Sequence, residues 1–154
     1  MLLVVFHAGR ERFGLDAGQI IEIVPLVRLA PVQHAPAWVA GLCNYRGSVA
    51  PVIDVSALLA GEPSRNLLST RILLINYPGR SGESHLLGLL AERVLETITC
   101  SPADFQASGI ATPAAPYLGE VLVEGGRMLR RITTSELLPP EVQDLLFSSR
   151  GEAG

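Results

Sequence analysis

Residues able to do chemistry are sparse in this sequence, and their spacing assembles no familiar catalytic site. Of the three histidines, His7 lies by the first turn, His34 in a proline-flanked loop and His85 ahead of a strand-like run. Nucleophilic catalysis needs a nucleophile, a base and an orienting group that converge. No histidine has a Ser or Cys partner at motif spacing, and no Gly-x-Ser-x-Gly elbow occurs, so all three read as solvated loop histidines. Cys43, between Leu42 and Asn44, reads as a small buried hydrophobe, and Cys100 ends a strand-like run. Two cysteines make neither a metal site nor a disulfide framework. Clusters of the His-x-Glu-x-His or paired Cys-x-x-Cys kind are absent, as is a Gly-x-Gly-x-x-Gly loop. All twelve basic residues are arginine, which excludes Schiff-base chemistry and a P-loop lysine. Paired carboxylates remain open as an acid–base device, but Glu22 and Glu96 occupy equivalent places in two separate repeats, where a strand-edge role is expected. No catalytic residue, metal ligand or cofactor site is assigned, and the chain is read as a non-enzyme.

Binding chemistry is the alternative. Arg127, Arg130 and Arg131 cluster, but nucleic-acid grooves interleave cations with aromatics, and only 5% of this chain is aromatic. A net charge of −3 also argues against gripping phosphate backbones. The cluster reads as a solvated strand face or, second, as a contact for an acidic protein.

The elements that must position these residues are mostly strands. Branched residues mark Leu2 to Phe6, Ile20 to Val24, Val49 to Val55, Arg71 to Ile75, Leu86 to Leu90, Val94 to Ile98 and Leu118 to Val123. Turn formers separate them at Ala8-Gly9, Ala60 to Ser64, Pro78 to Gly82 and Gly125-Gly126. Many short strands predict barrel or sandwich lobes. One short C-terminal helix is predicted at Pro140 to Phe147, with Val142, Leu145 and Leu146 on its buried face, and 148–154 is expected to be a flexible tail. With 48% apolar residues the 154-residue chain can bury a core alone. No apolar run is long enough to cross a bilayer, and Met1 to Phe6 is too short for a signal-peptide core. A cytoplasmic protein without membrane insertion is expected.

An internal repeat organises the chain. Phe13-Gly14-Leu15, then Ile20 and Glu22, reappear as Leu87-Gly88-Leu89, Val94 and Glu96, an offset of 74 residues (88 minus 14). Ile53 and Val55 to Leu59 reappear as Ile132 and Thr134 to Leu138, an offset of 79 (132 minus 53). Two similar β lobes are predicted, at approximately 1–75 and 76–147. The first carries Gly41-Leu-Cys-Asn-Tyr-Arg-Gly47; the second is plainer, with Thr133 where the first has Asp54.

Gly41-x-x-Asn44-x-Arg46-Gly47 followed by Pro51-Val-Ile-Asp54-Val closely resembles the signature of CheW-like chemosensory coupling proteins. Phe6-x-x-Gly9, Phe13-Gly14-Leu15, Ile20-x-Glu22-Ile23, Ala35-Pro36-x-x-Val39-x-Gly41, Leu87-Gly88-Leu89 and the stretch from Arg127 to Leu138 follow in family order, over about residues 1–147. The resemblance implies two five-stranded SH3-like β-barrel lobes around a shared core. It implies a non-catalytic adaptor, without cofactor, that ties chemoreceptor signalling tips to the regulatory domain of a CheA-type histidine kinase. Such an adaptor would sit by membrane-bound receptor arrays through its protein partners, with weak self-association in the array. It also implies a pairing of Glu22 with Arg46 and a partner-binding set of Ile20, Glu22, Gly41, Asn44, Arg46 and Gly47. Arginine suits such a role, because its rigid fork can hold a carboxylate and still present donors. Gly41 and Gly47 would allow close backbone approach or positive φ, and Asp54 has a turn or strand-end role as its alternative.

Departures from the family pattern are Tyr45 for the usual leucine, Ala91-Glu92 for Val-Asp, Arg130 and Arg131 in a usually apolar strand, and Thr133 for Asp or Asn. No kinase contacts are therefore carried to the second lobe. Together the variants are similar to adaptors of the Wsp-type surface-sensing pathway. The rival readings are a detached kinase regulatory domain, a β-barrel small-molecule enzyme or binding domain with no signalling role, and an RNA-binding barrel.

Overall fold

The computed structural model describes residues 1–80, 82–110 and 113–147 of the chain. Ten strands carry it: β1 (Leu2–Ala8), β2 (Glu11–Asp16), β3 (Ile20–Pro25), β4 (Val39–Tyr45), β5 (Ser48–Asp54), β6 (Arg71–Pro78), β7 (Ser84–Thr99), β8 (Phe105–Gln106), β9 (Leu118–Glu124) and β10 (Arg127–Ile132). Two short helices, α1 (Val55–Ala60) and α2 (Pro140–Leu146), complete it. The fold is all-β with a short C-terminal helix, as expected. The expected tail at 148–154 and Ser81 of the Pro78 to Gly82 turn lie outside the described residues.

Two curved sheets share one long strand. β3, β6, the first part of β7, β5 and β4 pair in that order, while the second part of β7 pairs with β1, which continues through β2, β10, β9 and β8. The sequence suggested two strands here, Leu86 to Leu90 and Val94 to Ile98. They form one 16-residue strand because the chain turns a corner without breaking. Ala91 still pairs with Arg71 of β6, Glu92 pairs with His7 of β1, and Arg93 between the two sheets takes φ +53°.

The repeat is real but its halves are exchanged. Val52 of β5 runs parallel to Gly88 of β7, and Arg131 of β10 runs parallel to Gly14 of β2. These are the same pairing displaced by the two repeat offsets. Each parallel contact joins one half of the chain to the other. Consequently β1 and β2, from the expected first lobe, lie in the sheet of β8, β9 and β10, and the hydrogen bonding does not divide at residue 75. Gly14 and Gly88 are needed at these crossings: a Cβ on Gly14 would lie 2.9 Å from Leu129, and one on Gly88 2.9 Å from Ile72.

The largest core lies between the sheets and includes Phe6, Phe13, Leu15, Ile53, Leu73, Ile75, Leu87 and Leu89, capped by Val142 and Leu146 of α2. Smaller cores fill each lobe, one around Leu3, Val5 and Leu129, the other around Val52, Ile72 and Leu74. β1 is buried on both faces, which is why it reads as an unbroken apolar run. Tyr77 is fully buried yet satisfied: its hydroxyl donates to the Ser135 carbonyl and accepts from the Leu138 amide.

Three local expectations change. The run Val49 to Val55 stops as a strand at Asp54, whose carboxylate caps α1 by accepting from the Ala57 amide. Leu145 does not join the buried face of α2: it is 39% exposed, whereas Val142 and Leu146 are buried. β2, β4 and β10 carry too few branched residues to stand out in the sequence.

Candidate partner-binding site

The signature loop is a two-residue hairpin. Tyr45 and Ser48 are the last pair of β4 and β5, leaving Arg46 at φ +51° and Gly47 at φ +85° as the turn. Two successive positive φ values suit a right-handed twisted hairpin, and they put a non-glycine residue where glycine or asparagine is usual. Asn44 stabilises the turn by accepting from the Gly47 amide at 2.9 Å. The equivalent turn of the other repeat, Gly125-Gly126, holds two glycines with the same signs of φ. Of these two equivalent turns, only the β4–β5 turn therefore places a cation at its tip.

That cation is held from β3. Arg46 Nη2 lies 3.0 Å from Glu22 Oε1, and Tyr45 Oη donates to the same oxygen at 2.5 Å. The guanidinium also sits over the Tyr45 ring, 5.4 Å from its centroid. Glu22 is 37% exposed and Arg46 75% exposed, so the pair faces solvent. The Tyr45 hydrogen bond, followed by Arg46, holds the Glu22 carboxyl below its ordinary range against a partial loss of solvation. The Tyr45 phenol is pushed up in return, chiefly by its bond to Glu22. Exposed ion pairs add little stability, whereas an arginine fork with donors to spare is ready to accept a second carboxylate or carbonyl.

Gly41 serves the scaffold of this loop. Its φ is +149°, and a Cβ there would fall 2.5 Å from the Ala30 carbonyl oxygen. The close approach lets Ala30 and Leu42 exchange two backbone hydrogen bonds of 2.9 and 2.7 Å. Ile20 starts β3 two residues before Glu22, but it packs on the large core between the sheets. Thus Glu22, Asn44, Arg46 and Gly47 gather at the hairpin, Gly41 supports it from behind and Ile20 fixes the start of β3. Tyr45 belongs with them; the sequence marked it as a departure, and only the fold brings its hydroxyl to Glu22.

The remaining candidates are scattered. Cys43 is buried, and burial pushes its thiol up, opposite to activation. His85 stacks on Phe147 with centroids 4.3 Å apart, not as a free loop histidine. His34 is exposed at φ +60° and His7 lies within β1. Glu96 meets Arg12 at 3.0 Å and has no contact with Glu22. Asp54, besides capping α1, accepts from the Ser64 amide and hydroxyl, a loop-holding role.

The signature hairpin lies within a stretch, residues 2–141, that matches the model of the CheW-like domain. The chain belongs to the CheW-like domain family. Among its CheW relatives, the chemotaxis protein CheW of Rhizobium meliloti (strain 1021) is 28% identical over 144 residues, 92% of this chain and 90% of that protein. The chemotaxis protein CheW of Treponema pallidum (strain Nichols) is 29% identical over 150 residues, 96% and 82% of the two chains. The crystal structure of the scaffolding protein TtCheW from Thermoanaerobacter tengcongensis superposes with a TM-score of 0.77, covering 90% of this chain and 87% of that one at 23% identity. The CheW fold, two barrel-like β lobes, is thereby shared.

Proposed function

We propose that this chain is a non-catalytic chemosensory coupling adaptor that links a chemoreceptor signalling tip to the regulatory domain of a CheA-type histidine kinase. The single observation that carries this reading is the exposed hairpin tip of a CheW-like domain, where Arg46 is held by Glu22 and Tyr45 yet keeps donors free. Ile20, Glu22, Gly41, Asn44, Arg46 and Gly47 are the proposed partner-binding set, with Glu22 and Arg46 in contact with the partner and the others shaping the loop. Control of the kinase is geometric: an adaptor that holds receptor and kinase in one relation lets a shift of the receptor bias the kinase between two states. No helix among the described residues is long and apolar enough to cross a membrane. The adaptor reading places the chain at the cytoplasmic side of receptor arrays, held there by its partners.

The test is a titration of the purified chain against the regulatory domains of its organism's CheA-type kinases, with and without a receptor-tip fragment. Saturable binding to one kinase, weakened at least about tenfold in Arg46→Glu, supports the reading. Wild-type affinity in a folded Arg46→Glu variant removes the hairpin from the interface. Failure to bind any kinase leaves only the fold in common.

A further inference from the structure

The arginines at the end of the other lobe are not absorbed by the hairpin. They separate into two kinds. Arg131 turns away, 3.8 Å from Asp16 and over the Phe105 ring. Arg127 and Arg130, joined by Arg10 from the β1–β2 turn, rim a groove of about 860 Å³ and make no ion pair among the described residues. The groove is apolar between them: Ile110, Val123 and Met128 line it and are 73%, 54% and 65% exposed. Isolated exposed apolar side chains are ordinary, but three in one groove ringed by unpaired cations are not.

The local charge runs against that of the whole chain. Among the described residues of the wall Glu11 is the one carboxylate, against Arg10, Arg127 and Arg130, in a protein of net charge −3. Beneath them lies Arg12, 5% exposed, whose Nη2 is shared by Glu96 and Glu124 while its Nε and Nη1 have no hydrogen-bond partner among the described residues. His7, also in the wall, is held below its ordinary pKa, first by partial burial and then by Arg93, Arg12 and Arg127. The surroundings thus favour incoming negative charge.

We propose that this groove docks an acidic, apolar-rich polypeptide segment of a partner protein, its apolar side chains against Val123, Met128 and Ile110 and its carboxylates on Arg10, Arg127 and Arg130. The surface is built on β9, β10 and the β1–β2 turn, apart from the Glu22–Arg46 hairpin. Its failure and the failure of the adaptor reading are therefore separable. Electrostatic complementarity fixes the choice among partners, and the apolar floor gives the contact its area.

The test uses the full chain and synthetic peptides that share a leucine face and carry either glutamate or lysine on the polar face, each in an extended and a helical format. Binding is read by fluorescence anisotropy and mapped by backbone amide shifts. A glutamate peptide should bind at least about tenfold more tightly than its lysine counterpart. That preference should fade at about 1 M salt, where screening reaches to ~3 Å. The double variant Arg127→Glu/Arg130→Glu should lose binding by a similar factor, Met128→Ser should also weaken it, and Arg46→Glu should leave it unchanged. Shifts should fall on β9, β10 and 106–110. Equal binding of both charges, no saturable binding, unchanged affinity in the folded double variant, shifts centred on the β4–β5 hairpin, or a preference for phosphatidylserine vesicles over every peptide would each overturn the proposal.

Discussion

Glu22 and Arg46 are 24 residues apart in the chain, and their side chains meet at 3.0 Å across the gap between β3 and β4. These two strands stand at opposite ends of one five-strand run and are not hydrogen-bonded to each other. Curvature brings the ends together, so the contact that arms the hairpin also closes the mouth of its lobe. The Ala30–Leu42 bridge is the backbone part of the same closure.

Tyr45→Phe tests how much of that contact belongs to the phenol. Glu22 has a depressed pKa in the folded state, so its contribution to stability is present above the ordinary carboxylate value and is lost as pH falls through the depressed one. Removing the Tyr45 hydroxyl removes the largest cause. The Glu22 pKa should move up toward its ordinary value in a carboxyl NMR titration, with little change in melting temperature. In the wild type the Tyr45 phenol should titrate above its ordinary value by ultraviolet absorbance. An unmoved Glu22 in Tyr45→Phe would show that Arg46 holds the carboxylate alone.

Much of this site was legible in the sequence and part was not. Asn44, Arg46 and Gly47 form a local turn, and local turns leave motifs. The pairing of Glu22 with Arg46 came from family resemblance, because nothing in either segment's spacing points at the other. Tyr45 was visible only as an exception. Likewise the repeat was legible, since duplicated residues keep their order, whereas the exchange of strands between lobes was not: parallel pairings such as Val52 with Gly88 are set by tertiary packing. Arg12 went unmarked because a buried arginine on a strand looks like a surface one until its neighbours are known.

The two glycines of the signature should differ in kind. Gly41→Ala would place a Cβ 2.5 Å from the Ala30 oxygen and 2.9 Å from Leu29 Cβ, so backbone must move. Gly47→Ala meets nothing within 4 Å and suffers only from φ +85°. The second should cost about 1–2 kcal/mol, and the first more than that, with loss of the Ala30–Leu42 bridge. Urea unfolding, with amide exchange at Leu42 as the local readout, distinguishes them. Equal costs would mean that the 29–30 segment yields freely.

Glu92 predicts a different pH behaviour from an exposed carboxylate. Its side chain is 6% exposed and receives Arg65 Nη2 at 2.9 Å, Nε at 3.2 Å and the Arg65 amide at 2.7 Å. Burial pushes this carboxyl up, but the Arg65 hydrogen bonds and charge, with Arg93, outweigh burial and hold it below its ordinary 4.5. A depressed folded pKa means that the stabilisation is complete above 4.5 and disappears as pH falls through the lowered value. Glu92→Gln should therefore lose about 1.5–3 kcal/mol near neutrality, as for a hydrogen bond to a charged group. The gap from wild type should narrow in acid. A gap independent of pH in urea titrations would assign the loss to packing.

The exchanged repeat makes a prediction about halves of the chain. If each lobe were one contiguous repeat, a fragment of residues 1–75 and a fragment of 76–147 would each contain a whole sheet. The observed pairing denies both. The first fragment would keep β3, β4, β5 and β6 only as far as Ile75, but lose β7, which lies between β5 and β6, and its β1 and β2 would lack β7 and β10. The second would keep β8, β9 and β10 with no β2 to extend them, and a β7 flanked only by the Asn76 to Pro78 end of β6. Each fragment would also expose half of the core in which Phe6, Phe13 and Leu15 meet Leu87 and Leu89. Apart, the fragments should lack a cooperative melt by circular dichroism. Mixed, they should regain one, because every missing strand is supplied by the other piece. Independent cooperative folding of either fragment would show that the parallel crossings β5–β7 and β2–β10 are ornaments of the fold, and that the lobes stand as the sequence first divides them.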